Sequence, residues 1–116
     1  MCPATLKNPS TQNRTNNMLY AFVCEDNENS LVKRQQNRPE HLARLKALQD
    51  EGRMVLAGPF PAIDSADPGP AGFSGSLIVA EFESLEAAQA WADEEPFLIH
   101  GIYKNIMIKP FKQTLP

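Results

Sequence analysis

Apolar positions change their spacing several times along the chain, and each change marks an element. Residues 19–24 (LYAFVC) are a continuous apolar run of strand length, followed by the acidic, Asn-containing stretch EDNENS, which suits a turn. In RPEHLARLKALQDEG, Leu42, Leu45 and Leu48 recur every third residue, with Pro39 fit for a first helical turn and Gly52 for a stop, so the spacing predicts a helix. Residues 30–37 are a candidate first helical piece, with Arg38 and Pro39 marking a break or kink. RMVLAG (53–58) reads as a short strand and GSLIVAEF (75–82) as a longer one. SLEAAQAWADEE (84–95) reads as a helix capped by Ser84 and ended by Pro96, and IYKNIMIKPF (102–111) as a strand to about Lys109. The order β-α-β-β-α-β predicts an α+β fold: a ferredoxin-like antiparallel sheet with both helices packed on one face.

The strands themselves say what covers the other face. Leu19, Ala21 and Val23 alternate with Tyr20, Phe22 and Cys24, while Leu77 and Val79 oppose Ile78, Ala80 and Phe82, so both faces of the sheet are apolar. A soluble monomer rarely leaves so large a patch in water, which makes a second copy of the chain the expected cover. The expectation is a homodimer whose two sheets meet as an α+β barrel.

Composition narrows the class. The chain has 116 residues, 42% hydrophobic and 22% charged, enough for one soluble domain with one modest core. Its apolar runs fall far short of the ~18 residues of a membrane span, so no membrane association is expected. The net charge is −3, and residues 1–17 carry Lys7 and Arg14 without an acid, so the remainder is more acidic still and poorly suited to nucleic acid. That Asn-, Thr- and Pro-rich segment lacks periodicity and is expected to be a disordered tail upstream of a natural start at Met18, with the domain spanning 18–116. It has no apolar stretch of secretory-signal length, and Pro3 and Pro9 spoil a transit-peptide helix. Cys2 and Cys24 cannot build a disulfide framework or a four-ligand zinc site, which fits a reducing, cytoplasmic compartment; Cys24 reads as a small buried hydrophobe.

Candidate chemistry is sparse. Residues 59–75 (PFPAIDSADPGPAGFSG) form the longest irregular stretch, stiffened by prolines and carrying Phe60, Ile63 and Phe73, and are expected to be an ordered loop that lines or caps something; a plain hairpin extension is the alternative. His41 falls roughly 40° from the centre of the Leu42/Leu45/Leu48 stripe at about 100° per residue, at the edge of the buried face, where it suits either a pocket wall or a packed core-edge side chain. His100, after the second helix, is a weaker candidate of the same kind. No HExxH, CxxC, Walker or GxGxxG pattern occurs, so no metal or cofactor is expected.

From MLYAFVCEDNENSLVKR through RPEHLARLKALQDEGRMVLAGPFPAIDSADPGPAGFSGSLIVAEFESLEAAQAWADEEPFLIHGIYKNIMIKPFK, the chain resembles the YciI-like proteins. R-P-x-H-L, the loop G-P-x-P-A-x-D-S-x-D-P-G, S-L-E-A-A-Q-A-W and the terminal K-P-F-K carry the likeness. The resemblance implies a dimeric ferredoxin-like barrel related to muconolactone isomerase, with a His/Asp dyad in a pocket between sheet and helices. His41 matches the family histidine. Where many members have Asp-Pro-Phe or Asp-Pro-Tyr after the second helix, this chain has Glu95-Pro96-Phe97, an acid one methylene longer. Glu95 is therefore the expected partner of His41, against the alternative of a solvated helix-end acid, and Asp64 in the proline-rich loop is the reserve, against the alternative of a turn residue capping its own backbone.

A histidine paired with a carboxylate is a base of fixed tautomer whose protonated form is stabilised, able to abstract an acidic C–H or help expel a leaving group without a cofactor. The resemblance implies lyase- or isomerase-type chemistry on a small cyclic substrate. The competing expectation is a non-catalytic small-ligand-binding or interaction module, in which His41 only hydrogen-bonds.

Overall fold

The computed structural model describes residues 17–116, so the expected tail lies outside the described residues except for Asn17, whose side-chain amide donates to Glu81 Oε2 at 2.9 Å. The chain runs β1 (Met18–Asp26), α1 (Leu31–Asp50), β2 (Met54–Pro61), a 3₁₀ turn (Gly69–Ala71), β3 (Phe73–Phe82), α2 (Leu85–Asp93), a short α3 (Pro96–Ile99) and β4 (Tyr103–Phe111). The four strands pair antiparallel in the order β2-β3-β1-β4, which is the ferredoxin-like topology.

The alternation in β1 and β3 sorts as the sequence implies. Tyr20, Phe22, Cys24, Ile78, Ala80 and Phe82 are buried on one face and join Leu48, Ala88, Ala92 and Phe97 in the core, with Trp91 closing edge-on against Phe22 at 5.4 Å. The opposite face leaves Val23, Leu56, Met107 and Phe111 exposed. Between β1 and β3 the backbones approach so closely that a Cβ on Gly75 would collide with the Cys24 carbonyl oxygen; only glycine fits.

Three local features depart from the sequence expectation. First, α1 does not break at Pro39 but runs unbroken from Leu31 to Asp50. An interior proline costs a helix about 3 kcal/mol, and here buried anchors on either side, Arg34 and His41, hold both halves to the rest of the fold. Second, the expected helix 84–95 divides. Ser84 does cap α2, accepting from the Ala87 N–H at 3.0 Å, but α2 stops at Asp93, Glu95 is extended (φ −69°, ψ 124°) as a residue before proline prefers, and Pro96 opens α3. Third, β2 continues to Pro61 and β3 begins at Phe73, so much of the expected loop 59–75 is a hairpin extension closed by the Ala62 N–H to Gly72 carbonyl bond at 2.9 Å. The prolines of β2 sit on the sheet's edge strand, where a missing donor is tolerated.

Candidate active site

Continuity of α1 gives the site its geometry. Leu31, Arg34, Arg38, His41, Leu45 and Leu48 follow alternating steps of three and four, which puts all six on one stripe of a helix, and Arg34, His41 and Leu48 are its buried residues. A stripe that sequence habit would fill with leucine therefore carries two arginines and a histidine at its centre. The spacing was present in the sequence, but the break expected at Pro39 hid it.

Two buried carboxylates meet this stripe. At its N-terminal end, Arg34 donates Nε to Asp26 Oδ2 at 2.7 Å and Nη2 to Asp26 Oδ1 at 3.0 Å, and extends Nη2 to the Gly75 carbonyl at 2.9 Å and Ser76 Oγ at 3.0 Å. Ser30 Oγ, free of a capping role, donates to Asp26 Oδ2 at 2.6 Å. One turn beyond Arg38, His41 Nδ1 contacts Glu95 Oε1. The other Glu95 oxygen accepts from Arg44 Nη1 at 2.9 Å, and Arg44 Nη2 reaches the Trp91 carbonyl at 2.8 Å with its guanidinium over the Trp91 ring.

The extended joint before Pro96 is what turns the Glu95 side chain inward. It is wholly buried, so the solvated helix-end alternative does not describe it. The His41 ring is fixed on every side: it stacks on Phe97 at 4.0 Å and 9° between planes, and meets the edge of Tyr103 at 6.3 Å. With Nδ1 committed to the carboxylate, Nε2 is the basic nitrogen. It makes no hydrogen bond to a described residue.

Beside the ring, between α1 and the β2–β3 half of the sheet, lies a cavity of about 340 Å³. Leu42, Leu45, Ile78, Phe73 and Phe97 make its walls apolar, while Arg34, Arg38, His41 and Ser76 supply polar atoms. A few convergent polar groups in an apolar recess of this size suit a small organic molecule.

Other candidates sort by position. Asp64 sits exposed in the hairpin turn and is not among the residues lining this cavity, so the structure does not bring it to the ring. Of the apolar loop residues, Phe73 reaches the cavity, whereas Phe60 and Ile63 are exposed. His100 is about half exposed, 3.9 Å from Glu40. Cys24 is buried with its thiol toward the Phe22 carbonyl, and burial pushes the thiol up to about 12. Burial also pushes the Tyr103 hydroxyl upward, and that hydroxyl has no hydrogen-bond partner among the described residues. Among the described residues no three His, Cys, Asp or Glu side chains gather as a metal site, and no helix is long and apolar enough to cross a membrane.

Fold and site together define a class: small α+β domains of ferredoxin-like topology with a buried histidine–carboxylate pair beside an apolar cavity. The chain belongs to the family of the YCII-related domain, whose model matches residues 18–112. Protein YciI of Escherichia coli O6:H1 is 58% identical over 97 residues, covering 84% of this chain and 99% of that protein. An uncharacterized protein of Haemophilus influenzae is 48% identical over the same span. Among solved structures, 5-chloro-2-hydroxyhydroquinone dehydrochlorinase from Burkholderia phenoliruptrix, in complex with 2,5-dihydroxybenzoquinone, has the same fold, with a TM-score of 0.71 and 24% identity over 82% of this chain and 94% of that one.

Proposed function

We propose that this domain is a small-molecule enzyme of the lyase or isomerase type, using His41 and Glu95 for acid–base chemistry on a small cyclic substrate, with no cofactor. The observation that carries the reading is the buried Glu95 carboxylate on His41 Nδ1, with His41 lining a cavity and its Nε2 without a partner among the described residues. In this reading Nε2 takes a proton from an acidic C–H or O–H of the bound ring, the charge that develops on the imidazole is balanced by Glu95, and the same proton is returned to another atom or accompanies a leaving group. Arg44 holds the second carboxylate oxygen, so Glu95 meets the ring in one orientation. The dehydrochlorinase of like fold supports the choice of first substrates.

The domain is further proposed to act as a cytoplasmic homodimer. The exposed Val23, Leu56, Phe60, Met107 and Phe111 form the apolar sheet face that a second copy would cover, giving the barrel.

Chlorinated hydroquinones and lactones, followed by chloride release and ultraviolet absorbance, test the reaction. The wild type is expected to turn over at least one of them, with His41→Ala and Glu95→Gln each slowing it about 100-fold or more. Binding in the wild type with turnover equal to buffer would establish the ligand-binding module instead, and turnover indifferent to His41→Ala would remove His41 from the reaction.

A further inference from the structure

Along α1, Arg34 is neutralised by Asp26, while His41 and Arg44 share Glu95. Arg38 lies between them, four residues after Arg34 and three before His41, and lines the same cavity. It is exposed and makes no ion pair or hydrogen bond to a described residue. The cavity thus carries a guanidinium that no described carboxylate pairs, in a chain whose net charge is −3. A fixed cation at the mouth of a low-dielectric recess attracts anions and disfavours cations, against the sign of the whole molecule.

We infer that Arg38 is the specificity residue of this cavity and that its ligand is an anionic ring compound, a carboxylate or a phenolate, held by the guanidinium. Residues three apart on a helix are surface neighbours, and Arg38 and His41 line one cavity, so in the proposed reaction an anion held at Arg38 lies beside His41 with a ring atom facing Nε2. Gln35, one turn before Arg38's neighbour Pro39 and also on the cavity wall, is a neutral donor available to the same group. A guanidinium offers a planar fork that matches a carboxylate, which a lysine or a glutamine does not reproduce. The inference rests on the proposed reaction only for the statement of which atom faces Nε2; the charge preference stands on the cavity alone.

The test is equilibrium binding of 4-hydroxybenzoate and of its neutral counterpart 4-hydroxybenzamide, by calorimetry at low salt. The wild type is expected to bind the acid about tenfold or more tightly than the amide, Arg38→Gln to lower affinity for the acid about tenfold while leaving the amide unchanged, and Arg38→Lys to retain part of the preference. A readout independent of the variants is the Arg38 Nε–H resonance of the wild type, which should move on adding the acid and stay still with the amide. Equal affinity for the two probes, an unchanged ratio in Arg38→Gln, an Arg38 resonance indifferent to the acid, or no binding of either probe at millimolar concentration would each overturn the inference. Turnover does not enter this readout. A charge preference found in a protein whose turnover ignores His41→Ala would remove the proposed reaction and leave this inference standing.

Discussion

Asp26 and Glu95 are two buried carboxylates held by the same helix, and they are used differently. Asp26 takes a two-pronged Arg34 and the Ser30 hydroxyl, and Arg34 Nη2 also reaches Gly75 and Ser76, so the cluster ties β1, α1 and β3 together. Glu95 takes Arg44 and His41, but the histidine has a second nitrogen that no described residue occupies. Similar ingredients make a brace in one place and, under the proposed function, a reactive group in the other, and the difference is a ring nitrogen that no described residue occupies.

The largest effect expected is on the brace. Arg34→Met leaves Asp26 buried, at 3% side-chain exposure, without a countercharge, which costs about 3–5 kcal/mol. Thermal unfolding should show a midpoint lower by on the order of 20 °C. A midpoint within a few degrees of wild type would mean that Asp26 is not held in the way described.

Glu95→Gln should cost less stability, about 1–3 kcal/mol, since the amide keeps an acceptor for one neighbour. Its chief consequence should be on turnover, so the ratio of functional loss to stability loss is reversed from Arg34→Met. Equal ratios in the two variants, read from melting curves and initial rates on the same preparations, would erase the distinction.

Cys24 and Tyr103 lie between the clusters, and the charges of Arg34 and Glu95 reach both. Burial raises both groups in the folded chain, Cys24 to about 12, so the unfolded chain ionises first. Stability contributed by the neutral forms is therefore full below about pH 9, where the free thiol begins to ionise, and is lost as pH rises toward the folded values. Denaturation midpoints should decline across that alkaline window, and less so in Cys24→Ala. A flat profile would show the strip between the clusters to be open to water.

The smallest effect expected is that of Asp64→Asn. An exposed turn residue away from the cavity should change stability by no more than about 0.5 kcal/mol and leave turnover as it was. A large functional loss would give Asp64 the role assigned to Glu95.

The sheet and its order were legible because alternation in β1 and β3 is a strong local signal and the turns between elements are polar. His41 was legible as a core-edge residue from its angle to the Leu42/Leu45/Leu48 stripe. Its surroundings were not. Arg34 and Arg44 were not singled out, because burial of a guanidinium depends on a carboxylate in another element, 8 residues away for Arg34 and 51 for Arg44. Glu95 stood in a run of three acids, and what singles it out is the proline after it, a backbone preference whose effect on side-chain direction appears only once α2 and α3 are docked. Pro39 misled for a related reason: its cost is local, and the anchors that offset it are tertiary.

The unbroken passage of α1 through Pro39 makes the helix a phase-keeping element. Arg34 and His41 are seven residues apart, very nearly two full turns, so the guanidinium and the imidazole point the same way only while that count is kept. One residue inserted between them would swing everything downstream by about 100° and carry His41 off Glu95, whereas the exposed stretch Ala62 to Asp67 of the hairpin could lengthen or shorten without disturbing either. Lineages of this domain should therefore vary in length at the hairpin and hold the count in this stretch of helix fixed.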